Sequence, residues 1–368
     1  MSRFKVRFLV AAALLLAACP TFATNTQVGG CKGKSILTFP TISAAVAAAS
    51  FGATVFVCPP GPYPEQVIIT QPLTLAGVVF SNTSQAVITV PASGLATMTD
   101  SFGNTIAPMV AATAGPVRIL NITVDGTGNT VGATGGDTNL VGIFYASGSS
   151  GEVEAVTARN LKTLSEGNGG FGTGIWAENG GGTTETVSIL SCSIHGFDNA
   201  GIFTESIQPS IFADIVGNTI TNGNNGIVWR GGVGDKILSN VISTTGNGID
   251  IKTLGSAPTL VTVSSNVVTS GFTGISVYAF DNVTNLLAQS NKISGSSEGI
   301  QMGLRAGTLR DNTIMQTTAS GIDLNCDSDV LNNNSINDAV VGILRAPASF
   351  LGGITTNNTV TDMMNTCP

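Results

Sequence analysis

Short β-branched runs recur along most of this chain, as in "VTVSS", "NVVTS" and "GISVY", each broken after a few residues by Gly, Asn or Ser. Alternation with a period of two marks half-buried strands, and the breaks leave no length for helices between them. The breaks are themselves periodic. A Gly-Ile pair stands at 142, 174, 201, 226, 248, 274, 299, 321 and 342, in steps of 32, 27, 25, 22, 26, 25, 22 and 21 residues. An Asn followed by an alternating pair runs in phase with it, at 218, 240, 266, 291, 312, 334 and 358. Two ladders of one period predict an all-β solenoid whose coils each hold two or three short parallel strands.

Within each unit the Ile and Val positions fill an interior column, and the Gly is expected to allow a sharp corner. The recurring Asn is expected to turn inward, bonding turn backbone and the Asn of the next coil, since a buried amide needs partners on every side. Cys192 stands where the Asn is due, in "CSI", and is expected to be a buried substitute for it. At the front, Thr41 to Ser50 reads as a short amphipathic helix that closes the open end of the solenoid. Four segments follow: 1–23 as a signal peptide, 24–90 as cap helix and first coils, 91–140 as coils with a Gly- and Thr-rich insertion, and 141–368 as regular coils and C-terminal end.

The segment "GPYPEQVIITQPLTLAG" at 61–77 and the ladders from 118 to 360 resemble the right-handed parallel β-helix proteins of the pectin-lyase-like superfamily. The resemblance implies a single-stranded right-handed parallel β-helix. It does not fix an activity, because that superfamily holds lyases, hydrolases, esterases, epimerases, tailspikes and adhesins. The Asp-Phe-Ile-Phe-Gly of pectin methylesterase-like proteins is absent, and "IHGF" at 194 and "DIKT" at 250 are not the polygalacturonase-like motifs. NosD-like proteins of periplasmic metal delivery share the fold, but this sequence lacks the His and Met clustering that copper handling calls for.

Composition narrows the setting. Only 10% of the residues are charged, and the net charge is −7. "MSRFKVRFLVAAALLLAACPTFAT" has a basic start and an apolar stretch too short for a membrane span, the form of a secretory signal peptide. Cleavage after Ala23 and lipidation at Cys19, after Leu16-Ala17-Ala18, both fit, so the expected location is secreted, periplasmic or on the cell surface. Arg3, Lys5 and Arg7 leave with the signal, taking the net charge from −7 to −10. Such acidity argues against nucleic acid as a partner. No later segment is long and apolar enough to span a membrane, and a monomer is expected.

Cys31 with Cys58, and Cys326 with Cys367, are the disulfide candidates, each pair stapling one end. His195 is the only histidine and is expected on the surface or in a turn.

If each Ile points inward, the third and fifth positions of the unit point out. The third-position column then carries Phe144, Trp176, Phe203 and Asp250, and the fifth carries Glu178, Glu205, Arg230, Lys252 and Tyr278. The expected chemistry is that of a polysaccharide lying across the coils. Phe144, Trp176, Phe203 and Tyr278 would contact sugar, and Glu178, Glu205, Arg230, Asp250 and Lys252 would carry lyase-like or hydrolase-like catalysis, with Ca2+ held by the carboxylates as one option. Two other readings stand beside it. The stripe is a set of surface ion pairs with its aromatics packed under the 91–140 insertion, or the whole protein is a non-catalytic spacer or adhesin.

Overall fold

The computed structural model describes residues 23–80, 85–133, 137–164, 171–181, 183–206, 211–232, 234–253, 259–279, 284–303, 307–324, 329–345 and 363–364. Strands of each repeat pass in turn to three long sheets, in which every neighbouring pair along the stack is parallel. Sheets A and C have 13 strands and sheet B has 11. The chain is thus a parallel β-helix with three strands per coil. One column of residues shows the logic: Ile143, Ile175, Ile202, Ile227, Ile249, Ile275, Ile300, Ile322 and Ile343 are register partners in sheet C, and every one is fully buried. Such interior columns supply the core.

The Asn ladder lies at the corner between sheets A and B. Asn218, Asn240, Asn266, Asn291, Asn312 and Asn334 have no exposed surface. Asn240 illustrates the pattern: its Nδ2 donates to Ile215 O at 3.0 Å and to Asn266 Oδ1 at 3.0 Å, and its Oδ1 accepts from Asn218 N and Nδ2, both at 2.9 Å. Every polar atom of the amide is used, which removes the cost of burying it. The residue before each Asn takes a left-handed conformation, as at Ser239 with φ 55° and Ser265 with φ 58°. Cys192 ends the ladder as expected: it is buried, its N donates to Asn218 Oδ1 at 2.8 Å, and burial pushes its thiol up to about 12.

The Gly of the Gly-Ile pairs has a different reason from the one the sequence implied. None of the nine from Gly142 to Gly342 has a positive φ, so conformational freedom is not what selects them. Space is. A Cβ at Gly226 would sit 2.4 Å from Ile242 Cγ2 and 2.4 Å from the carbonyl oxygen of Gly248. The corner brings the backbone against both the sheet B core column and the next coil.

At the N-terminal end a helix spans Ile42–Ala48, shorter than the Thr41–Ser50 read from the sequence because Ala49 is already extended. Thr41 Oγ1 caps Ala44 N, and Glu65 accepts from Ile42 N at 2.7 Å and Ser43 N at 2.8 Å. The helix buries Ile42, Ala45 and Val46 over the core. Cys31 and Cys58 form a disulfide beside it. The signal segment, Cys326 and Cys367 lie outside the described residues, apart from Ala23.

Candidate functional site

Sheet C carries the outward columns in the register the repeats imply. Phe144, Trp176, Phe203, Val228, Asp250, Ser276, Gln301, Asp323 and Leu344 are successive partners. Beside them run Glu178, Glu205, Arg230, Lys252, Tyr278 and Gly303. The candidate residues therefore stand on one face of neighbouring coils, and their environments divide it into three parts.

The first part is covered. Phe144, Trp176, Phe203 and Val228 join Ile106, Ala111, Val141 and Ala200 in a second apolar cluster outside the coil, with Met98 packed on it. Phe144 meets Trp176 edge-on at 6.0 Å, and Trp176 meets Phe203 edge-on at 4.9 Å. The cover comes from the Gly- and Thr-rich stretch. Met98–Thr99 pairs antiparallel with Thr105–Ala112, and the turn between them crosses the face as a strap. Glu178 anchors it: Ser101 N donates to both carboxylate oxygens at 3.0 and 3.2 Å, and Ser101 Oγ donates to Oε1 at 3.0 Å. Gly180 makes the approach feasible, since a Cβ there would lie 2.5 Å from Ser101 Cβ. Removal from water lifts the Glu178 carboxyl to about 7 against the pull of the Ser101 bonds. Glu185, whose carboxylate accepts from Gly148 N, is lifted to about 7 for the same reason.

The second part is open. Beside the strap lies a cleft of 570 Å3. It is lined by Asn104, Asp137 and Phe171, and by Asn139, Trp176, Asn199, Phe203, Glu205 and Arg230 of sheet C and its edge. Arg230 Nη1 donates to Glu205 Oε1 at 3.1 Å, and the guanidinium lies over the Phe203 ring at 4.9 Å. Burial raises the Glu205 carboxyl above its ordinary value, and Arg230 pulls it back in part. Trp176 Nε1 and Arg230 Nε are buried without a hydrogen-bond partner.

The third part is polar. Lys252 Nζ lies 2.8 Å from Asp250 Oδ2, Tyr278 donates to Gln301 Oε1 at 2.6 Å, and Arg345 pairs with Asp323. Of the residues expected to contact ligand, Trp176 and Phe203 line the cleft, Phe144 is fully buried, and Tyr278 is exposed in this last part. Of those expected to do chemistry, Glu205 and Arg230 line the cleft, Glu178 holds the strap, and Asp250 and Lys252 pair one coil beyond Arg230.

Sequence reasoning missed Ser101, Asn104, Asp137, Asn139, Phe171 and Asn199. Asn199 alone had a signal, standing one residue before the Ala200–Ser206 strand in the coil that supplies Phe203 and Glu205. His195 is half-buried on sheet B, in register with Arg159 and Thr221, away from this face.

Residues 183–365 match the family described as periplasmic copper-binding protein (NosD), just under half of the chain. No curated protein matches the sequence significantly. Among solved structures, the chain is similar to the GH136 lacto-N-biosidase from Eubacterium ramulus, with TM-score 0.59 and 11% identity over 92% of this chain and 67% of that one. It is also similar to the DFA-IIIase from Arthrobacter chlorophenolicus A6 without its lid, with TM-score 0.54 and 14% identity over 94% and 100%. The mannuronan C-5 epimerase AlgE4 A-module of Azotobacter vinelandii gives 0.53 and 17% over 87% and 94%. At these identities the likeness is one of fold. Copper does not fit the residues at hand: among the described residues no three of His, Cys, Asp and Glu gather, His195 stands alone, and the Cys192 thiol is buried and held protonated.

Proposed function

For a chain with the parallel β-helix fold of the pectin-lyase-like superfamily, we propose a role outside the cytoplasm in binding a saccharide in the cleft beside the strap. The observation that carries this reading is the cleft itself: three Asn side chains, Asp137, Glu205 and Arg230 supply hydrogen-bonding groups beside half-exposed Phe171. Dense polar groups with an aromatic flank suit a ligand that presents hydroxyls on its edges and C–H groups on its faces. The saccharide-acting names among the fold relatives support the ligand class. The basic and apolar N-terminus supports export, as does the match to a family described as periplasmic.

Glu205 is, with Asp137, one of the two acids lining the cleft, and being the buried one whose carboxyl is raised it is the group that any bond cleavage here would draw on. Glu178, engaged by Ser101, acts as the anchor of the strap. Titration calorimetry of the mature protein against a panel of plant and microbial oligosaccharides tests the reading. Binding that is lost in Arg230→Ala and Asn199→Ala supports it; no heat with any saccharide ends it.

A further inference from the structure

We infer that the cleft and the face it opens onto are built for an uncharged saccharide and against a polyuronate; this rests on the saccharide reading above. The reason is the charge arrangement on sheet C. Among the described residues, each base on this face already has its own carboxylate: Arg230 with Glu205, Lys252 with Asp250, and Arg345 with Asp323. Asp137 adds a negative charge to the cleft lining. Six coils of about 4.8 Å separate Glu205 from Arg345, so this balance extends over roughly 29 Å. A uronate arriving anywhere along that distance meets a cation whose charge is already offset by the carboxylate packed beneath it.

Hydrogen bonding favours the same class. A carboxylate accepts and cannot donate, whereas a hydroxyl does both. The cleft offers acceptors in Asp137 and in Glu205, whose Oε1 accepts one bond from Arg230. Donors stand beside them, in the Arg230 guanidinium and the amides of Asn104, Asn139 and Asn199. A ligand that donates to the carboxylates and accepts from these nitrogens satisfies both sets. A hydroxyl-rich neutral sugar can do this at every position; the carboxylate of a uronate satisfies only the donors.

The test is calorimetry with neutral gluco-, xylo-, galacto- and fructo-oligosaccharides beside oligomannuronate and oligogalacturonate, at low and physiological salt. Wild type is expected to bind a neutral ligand with an affinity that changes less than about twofold with salt, and to bind uronates at least about tenfold more weakly. Glu205→Gln keeps an oxygen for Arg230 and frees its charge, so uronate affinity should rise about tenfold. Asp137→Asn, at the exposed acid of the lining, should raise it by a smaller factor. A wild type that prefers uronates overturns this inference and leaves saccharide binding standing. Uronate affinity unmoved in both variants also overturns it. No binding of either class removes the saccharide reading and this inference with it.

Discussion

Replacing Glu178 by Gln isolates the cost of anchoring the strap through a buried acid. The folded protein holds this carboxyl at about 7, where 4.5 is ordinary. A raised acid favours the protonated fold, so its penalty is absent at low pH, grows as the unfolded chain ionises above 4.5, and is complete once the pH passes about 7. At about 1.4 kcal/mol per tenfold, the full penalty is about 3 kcal/mol, and about 2.5 kcal/mol of it falls between pH 5 and pH 8. The amide retains an oxygen for Ser101 N and gains a donor for Ser101 Oγ, so the anchor survives without the charge. Urea unfolding followed by tryptophan fluorescence should show the difference between variant and wild type moving by about 2.5 kcal/mol in favour of Glu178→Gln from pH 5 to pH 8. A difference that stays constant within about 0.5 kcal/mol across those two pH values refutes the reasoning.

Three further outcomes follow from the coil. Asn266→Asp is nearly isosteric but cannot donate to Ile237 O and Asn291 Oδ1, as Asn266 Nδ2 does at 2.9 and 3.0 Å; near neutral pH it should cost roughly 3–5 kcal/mol, measured by denaturant midpoint. Gly226→Ala should cost at least about 1–3 kcal/mol, and Ile242→Ala in the same chain should recover only part of it, because the Gly248 carbonyl remains in the way. Cys192 should resist thiol reagents in the folded protein and react after unfolding, read by mass at its own peptide; labelling of native Cys192 at the rate of a free thiol would contradict its burial.

The fold was legible because a solenoid writes its core repeatedly. One Ile in an interior column proves nothing, but nine at a common spacing do, and the Asn in phase with them foretold bonds that the structure contains. The outward register of Trp176, Glu178, Phe203, Glu205, Arg230, Asp250 and Lys252 followed from the same alternation. That the 91–140 stretch packs over the outward aromatics was one of the readings the sequence left open; which of its residues arrive there did not follow. Ser101, Asn104 and Asp137 come from a stretch without repeats, and the first two reach the face on a strap held by the Glu178 carboxylate, by Gln66 at Ala96 and by a close approach at Gly180. The reason for the Gly-Ile pairs was also hidden. Alternation tells which way a side chain points and does not report the clearance between a corner and the next coil.

The Asn ladder makes the coil a unit of length. Each amide asks of its successor only an oxygen at the same place, and Asn240 and Asn266 meet that demand in the same way. Excising one whole turn, for instance residues 218–239 so that Asn240 follows Gly217, leaves Asn240 where Asn218 stood, presenting its Oδ1 to Cys192 N. Removing a few residues more or fewer leaves an amide facing a side chain that cannot answer it. Lineages built on such a core can lengthen or shorten in whole steps of about 4.8 Å, adjusting the reach of the outer face without redesigning what lies beneath.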